Sequence, residues 1–344
     1  MDRLLMQNNK LVLVSSGLIL IFLVGLILRL AKPVLFPFFL AIFFYFILSP
    51  VLEFLMRLKI PRALAVFLII IITFFLLYLL GMLFYASGKG FAASFPEYGQ
   101  KLNAIVRSIV EKLKVANISW DPLAWTKTLD VNRLATLLLS SLDRFFSFFS
   151  TLVLIFVFLI FMLAGRGKLK LKVEKSFSPV KAAKINSVLE NIDRQIQKYL
   201  AIKTAISLMS GLLTMIVLFL FQVDFAFIFG FLTFLLNYIP SLGSILAIGF
   251  AVLIAAFQFG SFWPVLWIFL ILVSIDLLMA NFIEPKLMGH GLGLSPLAVL
   301  FALFFWGWLW GIPGMILAVP LMAVIKIICS NISSLQIVAE IMSK

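Results

Sequence analysis

The sequence predicts an all-α polytopic membrane protein. It should have about eight transmembrane helices, broken or re-entrant helical hairpins in its second half, and a small external helical insert. Three observations carry this. The 344 residues are 64% hydrophobic and 12% charged, whereas a soluble domain is about half apolar and a quarter charged. The apolar residues come in continuous runs, unlike the short alternating segments of a β-barrel. Two of these runs are broken, at Asn237-Tyr238-Ile239-Pro240-Ser241-Leu242-Gly243-Ser244 and at Gly307-Trp308-Leu309-Trp310-Gly311-Ile312-Pro313-Gly314. A breaker inside lipid frees backbone N–H and C=O groups, which is tolerated only where that backbone is buried in protein or faces a wet cavity. A pair of such breaks is the strongest pointer a membrane sequence gives to a transport site.

The elements follow in order. Residues 1–86 hold three spans: Leu11 to Leu28, about Val34 to Leu55, and Ala63 to about Tyr85. The first lacks a small-residue cleavage site and reads as a retained span. Residues 87–146 are mixed in charge and read as the external insert. One amphipathic helix is expected after Pro96, with Leu102, Ile105, Val106, Ile109, Val110 and Leu113 on one side. A second is expected behind Asp130, with Leu134, Leu137, Leu138 and Leu142. The fourth span occupies 147–166.

Residues 167–200 form a basic loop and an amphipathic helix. Arg166, Lys168, Lys170, Lys172, Lys175, Lys181 and Lys184 crowd this region with only Glu174 opposing, which places the loop in the cytoplasm. Counting back four spans puts the N-terminus inside and the 87–146 insert outside. Ser178-Pro179 is a helix start. Ile185, Val188, Leu189, Ile192, Ile196 and Tyr199 make the apolar stripe, and Glu190 and Arg194 an i, i+4 pair. Residues 201–330 are the transport core. It opens with a span from Leu200 to about Phe221 and continues in pieces at about 225–238, 242–258, 262–282, 296–309 and 313–330. The first and fourth pieces are too short to cross alone, which needs ~20 residues, so they read as halves of hairpins. Residues 331–344 are a tail, and Lys326 and Lys344 point to a cytoplasmic C-terminus.

The net charge of +14 follows from positive-inside topology and contact with anionic lipid at the basic loop, not from binding nucleic acid. One cysteine, Cys329, and one histidine, His290, give no disulfide and no Cys/His metal cluster, and no cofactor is implied. His290, in the glycine-rich linker from Glu284 to Pro296, reads as a solvated loop residue. The linker lacks the Gly-Lys-Ser/Thr end of a phosphate loop. Neither HExxH nor Gly-x-Ser-x-Gly occurs, so the chain does not read as an enzyme.

The chemistry concentrates at few residues. Asp276 lies inside an apolar run, where a carboxylate is costly and marks a functional site by default. Asn281 and Glu284 follow it, and on a regular helix Asp276 and Glu284 differ by about 80°, so both can border one cavity. The bland alternative pairs Asp276 with a backbone amide, Lys286 or Lys203. At the first break Asn237, Ser241 and Ser244 surround Pro240 and Gly243. Half-helix ends there can bind ions or polar solutes, or the side chains can simply satisfy a kink. At the second break Gly307, Gly311, Pro313 and Gly314 offer backbone alone and suit a hinge or close helix packing. The aromatic cluster of Phe304, Phe305, Trp306, Trp308 and Trp310 reads mainly as span packing.

One further pattern links these pieces. Asp193-Arg194 and Tyr199-Leu200 precede Ser207 and Gly211. After the first break come Glu284-Pro285-Lys286-Leu287-Met288-Gly289, Leu294-x-Pro296 and Gly311-Ile312-Pro313-Gly314-x-x-x-Ala318-Val319-Pro320-Leu321. This resembles the autoinducer-2 exporter family of bacterial inner-membrane transporters, by motif over about residues 180–330 and by topology elsewhere. The resemblance implies export of small solutes or ions, with some members linked to autoinducer-2 and others to sodium or lithium exchange for protons. It also implies a homo-oligomer, a pentamer among the forms open to it. Where many members carry Gly-Gln, this chain has Ile202-Lys203, so the substrate class does not follow from the family.

The expectation is therefore a secondary transporter exporting a small polar solute or signalling molecule, coupled to an ion gradient. A sodium or lithium/proton antiporter and an oligomeric channel are the alternatives. Asn237, Pro240, Ser241, Gly243, Ser244, Asp276, Asn281 and Glu284 are the candidate solute- or ion-binding residues. The second break is their hinge or packing partner.

Overall fold

The structure is a computed structural model that describes residues 23, 25–115, 151–165, 167–288 and 292–343. Most of the expected first span, the expected Asp130 helix and His290 lie outside the described residues.

Helix α1 runs Lys32–Arg57 and α2 Arg62–Val115. The sequence reading ends the third span near Tyr85 and starts a new helix after Pro96. The structure instead runs one helix of 54 residues through both. A proline removes one N–H and costs about 3 kcal/mol in a helix interior. It does not stop a helix whose flanks both propagate, and the apolar periodicity from Leu102 to Leu113 supplies that on the far side.

Helices α3, Thr151–Gly165, and α4, Lys168–Ser176, meet at a bend of 63°. Gly167 lies in the bend with φ +86°, a left-handed backbone open to glycine. Helix α5, Pro179–Leu220, has 42 residues and so measures roughly 63 Å, about twice the hydrocarbon thickness. Its first turns are amphipathic, with Ala182 and Ile196 buried and Lys181, Lys184 and Glu190 exposed. Glu190 pairs with Lys170 of α4 at 2.9 Å, where the i, i+4 spacing pointed to Arg194.

Helices α6, Ala226–Leu236, and α7, Leu242–Phe259, flank the first break. Helix α8, Phe262–Leu278, passes through a π turn, Met279–Ile283, into the short α9, Glu284–Met288. Helices α10, Pro296–Trp310, and α11, Ile312–Ser330, flank the second break. The Ser295 hydroxyl caps α10 by accepting from the Ala298 N–H at 3.2 Å. A 3-10 turn, Ser333–Leu335, and α12, Gln336–Ile341, follow. Among the described residues six helices are long and apolar enough to cross a membrane, or seven if α3 and α4 count as one bent span, while α6 and α10 are shorter apolar helices. The all-helical, polytopic expectation holds, with broken helices where the two breaks were read.

The chain divides into two compact units. One comprises Ile47–Val153 and Gln197–Leu292, the other Met1–Phe46, Leu154–Ile196 and Gly293–Lys344. The first unit has an apolar core of Leu218, Val223, Phe229, Ala251, Ile254, Ala255, Ile268 and Leu272, drawn from α5 to α8. Helices α5 and α6 cross at Gly211 and Gly230, and a Cβ on either would come within 2.6 Å of the opposing helix. Small residues at a crossing let two backbones approach, the usual way helices pack in lipid. In the second unit Trp310 packs its ring 5.3 Å from Phe39 and 4.9 Å from Trp306. Trp306 and Trp310 are buried, whereas Phe304 and Trp308 face outward, so the aromatic cluster divides between packing and surface. The Ser295 N–H donates to the Met342 carbonyl at 2.9 Å, and Lys326 Nζ donates to the Gly293 carbonyl at 2.5 Å.

Both breaks close in the same way. At Gly243 a Cβ would strike the Leu236 carbonyl, and at Gly314 one would strike the Trp306 carbonyl. Each hairpin folds because the second helix starts against the last turn of the first. Gly243→Ala and Gly314→Ala should each destabilise the protein by about 2 kcal/mol or more, because backbone must move. Gly249→Ala, whose Cβ meets nothing within 4 Å, should not. Thermal unfolding of the three variants in detergent checks this.

Candidate functional site

The candidate site is a polar belt built on α5 within an otherwise apolar unit. Lys203, Ser207, Ser210 and Thr214 are all buried on this helix. Their spacings of four, three and four place them on one stripe. Burying polar groups is costly unless they are paired, and the partners of the first two residues come from the elements identified at the first break and in α8–α9.

Three contacts define the belt. Lys203 Nζ donates to both carboxylate oxygens of Glu284, at 2.8 and 2.9 Å. The Lys203 side chain is 5% exposed and that of Glu284 25%, so this is a largely desolvated ion pair. One turn on, Asn237 Nδ2 donates to Ser207 Oγ at 3.1 Å. Between them the Tyr238 hydroxyl donates to Thr204 Oγ1 at 2.7 Å, and Thr204 in turn donates to the Leu200 carbonyl at 2.6 Å. The two residues that follow α6 therefore reach back onto α5, and the first break is held by side chains as well as backbone.

The carboxylates come together through the π turn. On a regular helix Glu284 would stand about 80° from Asp276. A π turn takes up about one extra residue and sets the following ones back by about 100°, leaving the two within about 20°. Asp276 consequently has Lys203 and Glu284 as charged neighbours and Ser244 of α7 close by, though the Ser244 hydroxyl donates to the Ser241 carbonyl at 3.4 Å. Tyr199 on α5 also lies in the field of Glu284.

The other sequence candidates distribute as follows. Pro240 and Ser241 form the turn, with Ser241 at φ +61°, a left-handed backbone that is costly for serine. Ser241 is exposed, Gly243 is buried, and Ser244 is half-buried. Asn281 lies in the π turn and is exposed. Gly307 faces the Met315 side chain across the second hairpin, Gly311 takes φ +75° in its turn, and Pro313 starts α11 beside buried Gly314. The second break belongs to the other compact unit. Of the residues in the three contacts, Lys203, Thr204, Ser207 and Tyr238 are not among the candidate site residues. The signal for Lys203 was present: a lone cation four positions before Ser207 in an apolar run.

A groove of about 420 Å³ beside the belt is lined by Leu213, Trp267, Leu270, Ile271 and Ile275 among others. Its polar group is the Ser274 hydroxyl, which is engaged with the Leu270 carbonyl at 2.7 Å. The groove offers apolar contact, not solute chemistry. Among the described residues no cluster of His, Cys, Asp and Glu could hold a metal ion.

A family model described as AI-2E family transporter matches residues 17–334. The chain belongs to the AI-2E transporter family. Relatives extend over nearly the whole of this AI-2E protein. It is 32% identical over 340 residues to the AI-2 transport protein TqsA of Escherichia coli, covering 98% of this chain and 96% of that one. It is 34% identical over 315 residues to a putative transport protein of Borreliella burgdorferi, covering 90% and 84%. It is 31% identical over 331 residues to a putative transport protein of Haemophilus influenzae, covering 94% of each. The family and these names make it a membrane transport protein.

Lys203→Met should leave Glu284 buried without its partner and cost about 3 kcal/mol, while Lys203→Met with Glu284→Met should recover most of that loss. A double-mutant cycle on thermal unfolding in detergent gives the coupling. A coupling near zero would mean the pair is not formed in the folded protein.

Proposed function

We propose that this AI-2E protein is a secondary transporter that exports a small polar solute or signalling molecule across the bacterial inner membrane, coupled to an ion gradient. The polar belt of the first break is its solute and ion site. The observation that carries this reading is the convergence of Lys203, Glu284, Asn237–Ser207 and Tyr238–Thr204 around a broken helix within an apolar unit. Buried charge and broken backbone are retained in lipid where they line a path. The TqsA relative is named as an AI-2 transport protein, which makes AI-2 the first solute to test. Amide and hydroxyl groups are suited to hydroxyl-rich ligands, since each both donates and accepts.

A second reading, a sodium or lithium/proton antiporter, is favoured by one observation. The three charges Lys203, Glu284 and Asp276 sum to minus one, which a monovalent cation would balance. The exposed lysines Lys168, Lys170, Lys172 and Lys175 fit contact with anionic lipid headgroups on the cytoplasmic side, and a homo-oligomer remains part of the proposal.

The test is uptake of autoinducer-2 into proteoliposomes with and without an imposed proton gradient. Asp276→Asn should reduce the gradient-driven rate at least about tenfold, about 1.4 kcal/mol in the barrier, and Asn237→Ala should raise the apparent KM. Gly249→Ala should match the parent protein. Gradient-driven uptake that survives Asp276→Asn would remove this carboxylate as the ion carrier, and single-channel currents in planar bilayers would replace the carrier with a pore.

A further inference from the structure

The charge arithmetic of the belt points further than the transport reading on which this inference rests. Lys203 is 4% exposed, and its ammonium engages both oxygens of Glu284. An ammonium so placed takes the position that an alkali cation would need on that carboxylate, and it is covalently tethered. Two carboxylates at one site, Asp276 and Glu284, would by themselves call for two positive charges. With Lys203 supplying one, a single exchangeable charge balances the site.

We propose that Lys203 is a built-in counter-ion that permanently fills the Glu284 half of the site, leaving Asp276 as the one exchangeable position, and that the ion exchanged there is a proton and not sodium or lithium. Three features favour the proton. An alkali cation gives up its water only to a shell of several oxygens, whereas both oxygens of Glu284 are taken by Lys203, and the hydroxyl near Asp276, Ser244, is turned to the Ser241 carbonyl at 3.4 Å. A carboxylic acid needs no such shell. With the Lys203 ammonium already on Glu284, a metal cation at Asp276 would stand near a fixed positive charge, while a proton bound to the carboxylate leaves a neutral group. Tyr199 also lies in the field of Glu284, with Tyr238 near it, and both are phenols that add a hydroxyl and no charge.

This makes Lys203 a determinant of ion choice. A neutral residue at 203 would leave Glu284 open to a mobile cation.

Two measurements separate this proposal from the transport reading. The first needs no transported solute: thermal unfolding of the purified chain in detergent, in sodium, lithium or choline chloride. The parent protein should unfold at the same temperature in all three. Lys203→Gln should gain several degrees in sodium or lithium over choline, because a cation bound to the folded state stabilises it. Lys203→Gln with Glu284→Gln should lose that gain. A cation-dependent rise in the parent protein, or none in a folded Lys203→Gln, overturns the proposal. If Lys203→Gln does not fold, the decision falls to the parent protein and the double variant, neither of which should respond to sodium or lithium.

The second measurement is proton-driven uptake of autoinducer-2 into vesicles. In the parent protein it should change less than twofold when sodium is replaced by choline, and in Lys203→Gln at least tenfold. Uptake by the parent protein that requires sodium overturns the proposal. Absence of any uptake, with the unfolding pattern as expected, overturns the transport reading and leaves the lysine assignment standing.

Discussion

An ammonium and a carboxylate that meet in an apolar helical unit must stay together, because either one alone would be a buried, unbalanced charge. Losing one partner of such a pair costs about 3–5 kcal/mol, a large part of what holds a protein folded. The Lys203–Glu284 contact joins positions 81 residues apart. It fixes where α9 lies against α5, and with it the face that α8 turns toward the first break. Asn237 and Tyr238 then dock on the two polar residues that follow on α5, at Ser207 and Thr204. Each contact is local, but the ion pair sets the register in which the others form.

The two breaks share one construction and differ in content. In both, a glycine on the second helix lies against a carbonyl of the first, at Gly243 over Leu236 and at Gly314 over Trp306. At the first, the left-handed turn residue is Ser241, and the neighbouring side chains are polar. At the second, the left-handed residue is Gly311, and the neighbours are buried Trp306 and Trp310. A non-glycine residue held at positive φ stores strain that the surroundings must offset. The first hairpin therefore carries both the chemistry and the strained backbone, and the second carries the larger apolar packing.

Much of this was legible in the sequence, for identifiable reasons. Lipid demands long apolar runs, so α5 to α8, α10 and α11 could be read within a few residues, while α9, Glu284–Met288, was read as part of the linker; the breaks announced themselves through Pro240, Gly243, Gly311 and Pro313. Proline misled once. Pro96 looks like a boundary, yet α2 runs through it, because one missing hydrogen bond is a local cost that a long helix absorbs. The chemistry was half legible. Asp276 and Glu284 stand out as carboxylates in apolar surroundings. That Glu284, and not Asp276, takes Lys203 depends on helix phase, which hydropathy does not encode. Glu190 shows the same limit: its spacing pointed within its own helix to Arg194, and its partner is Lys170 from α4. Side-chain pairing between helices is a tertiary property, and a single sequence carries little of it.

The π turn at Met279–Ile283 has a consequence for how such a site can arise. A π turn differs from an α turn by a single residue, so the alignment of Asp276 with Glu284 depends on the winding of one short segment and not only on which residues occupy it. Regularising the turn at fixed length would swing Glu284 away by about a quarter turn, with every site side chain still encoded. Loss of one codon inside the turn would not: seven regular steps of about 100° also bring the carboxylates to within about 20° of each other, so the shorter helix keeps the alignment without the π turn. The same pair of carboxylates can therefore be presented by two segment lengths, eight residues with the π turn or seven without it.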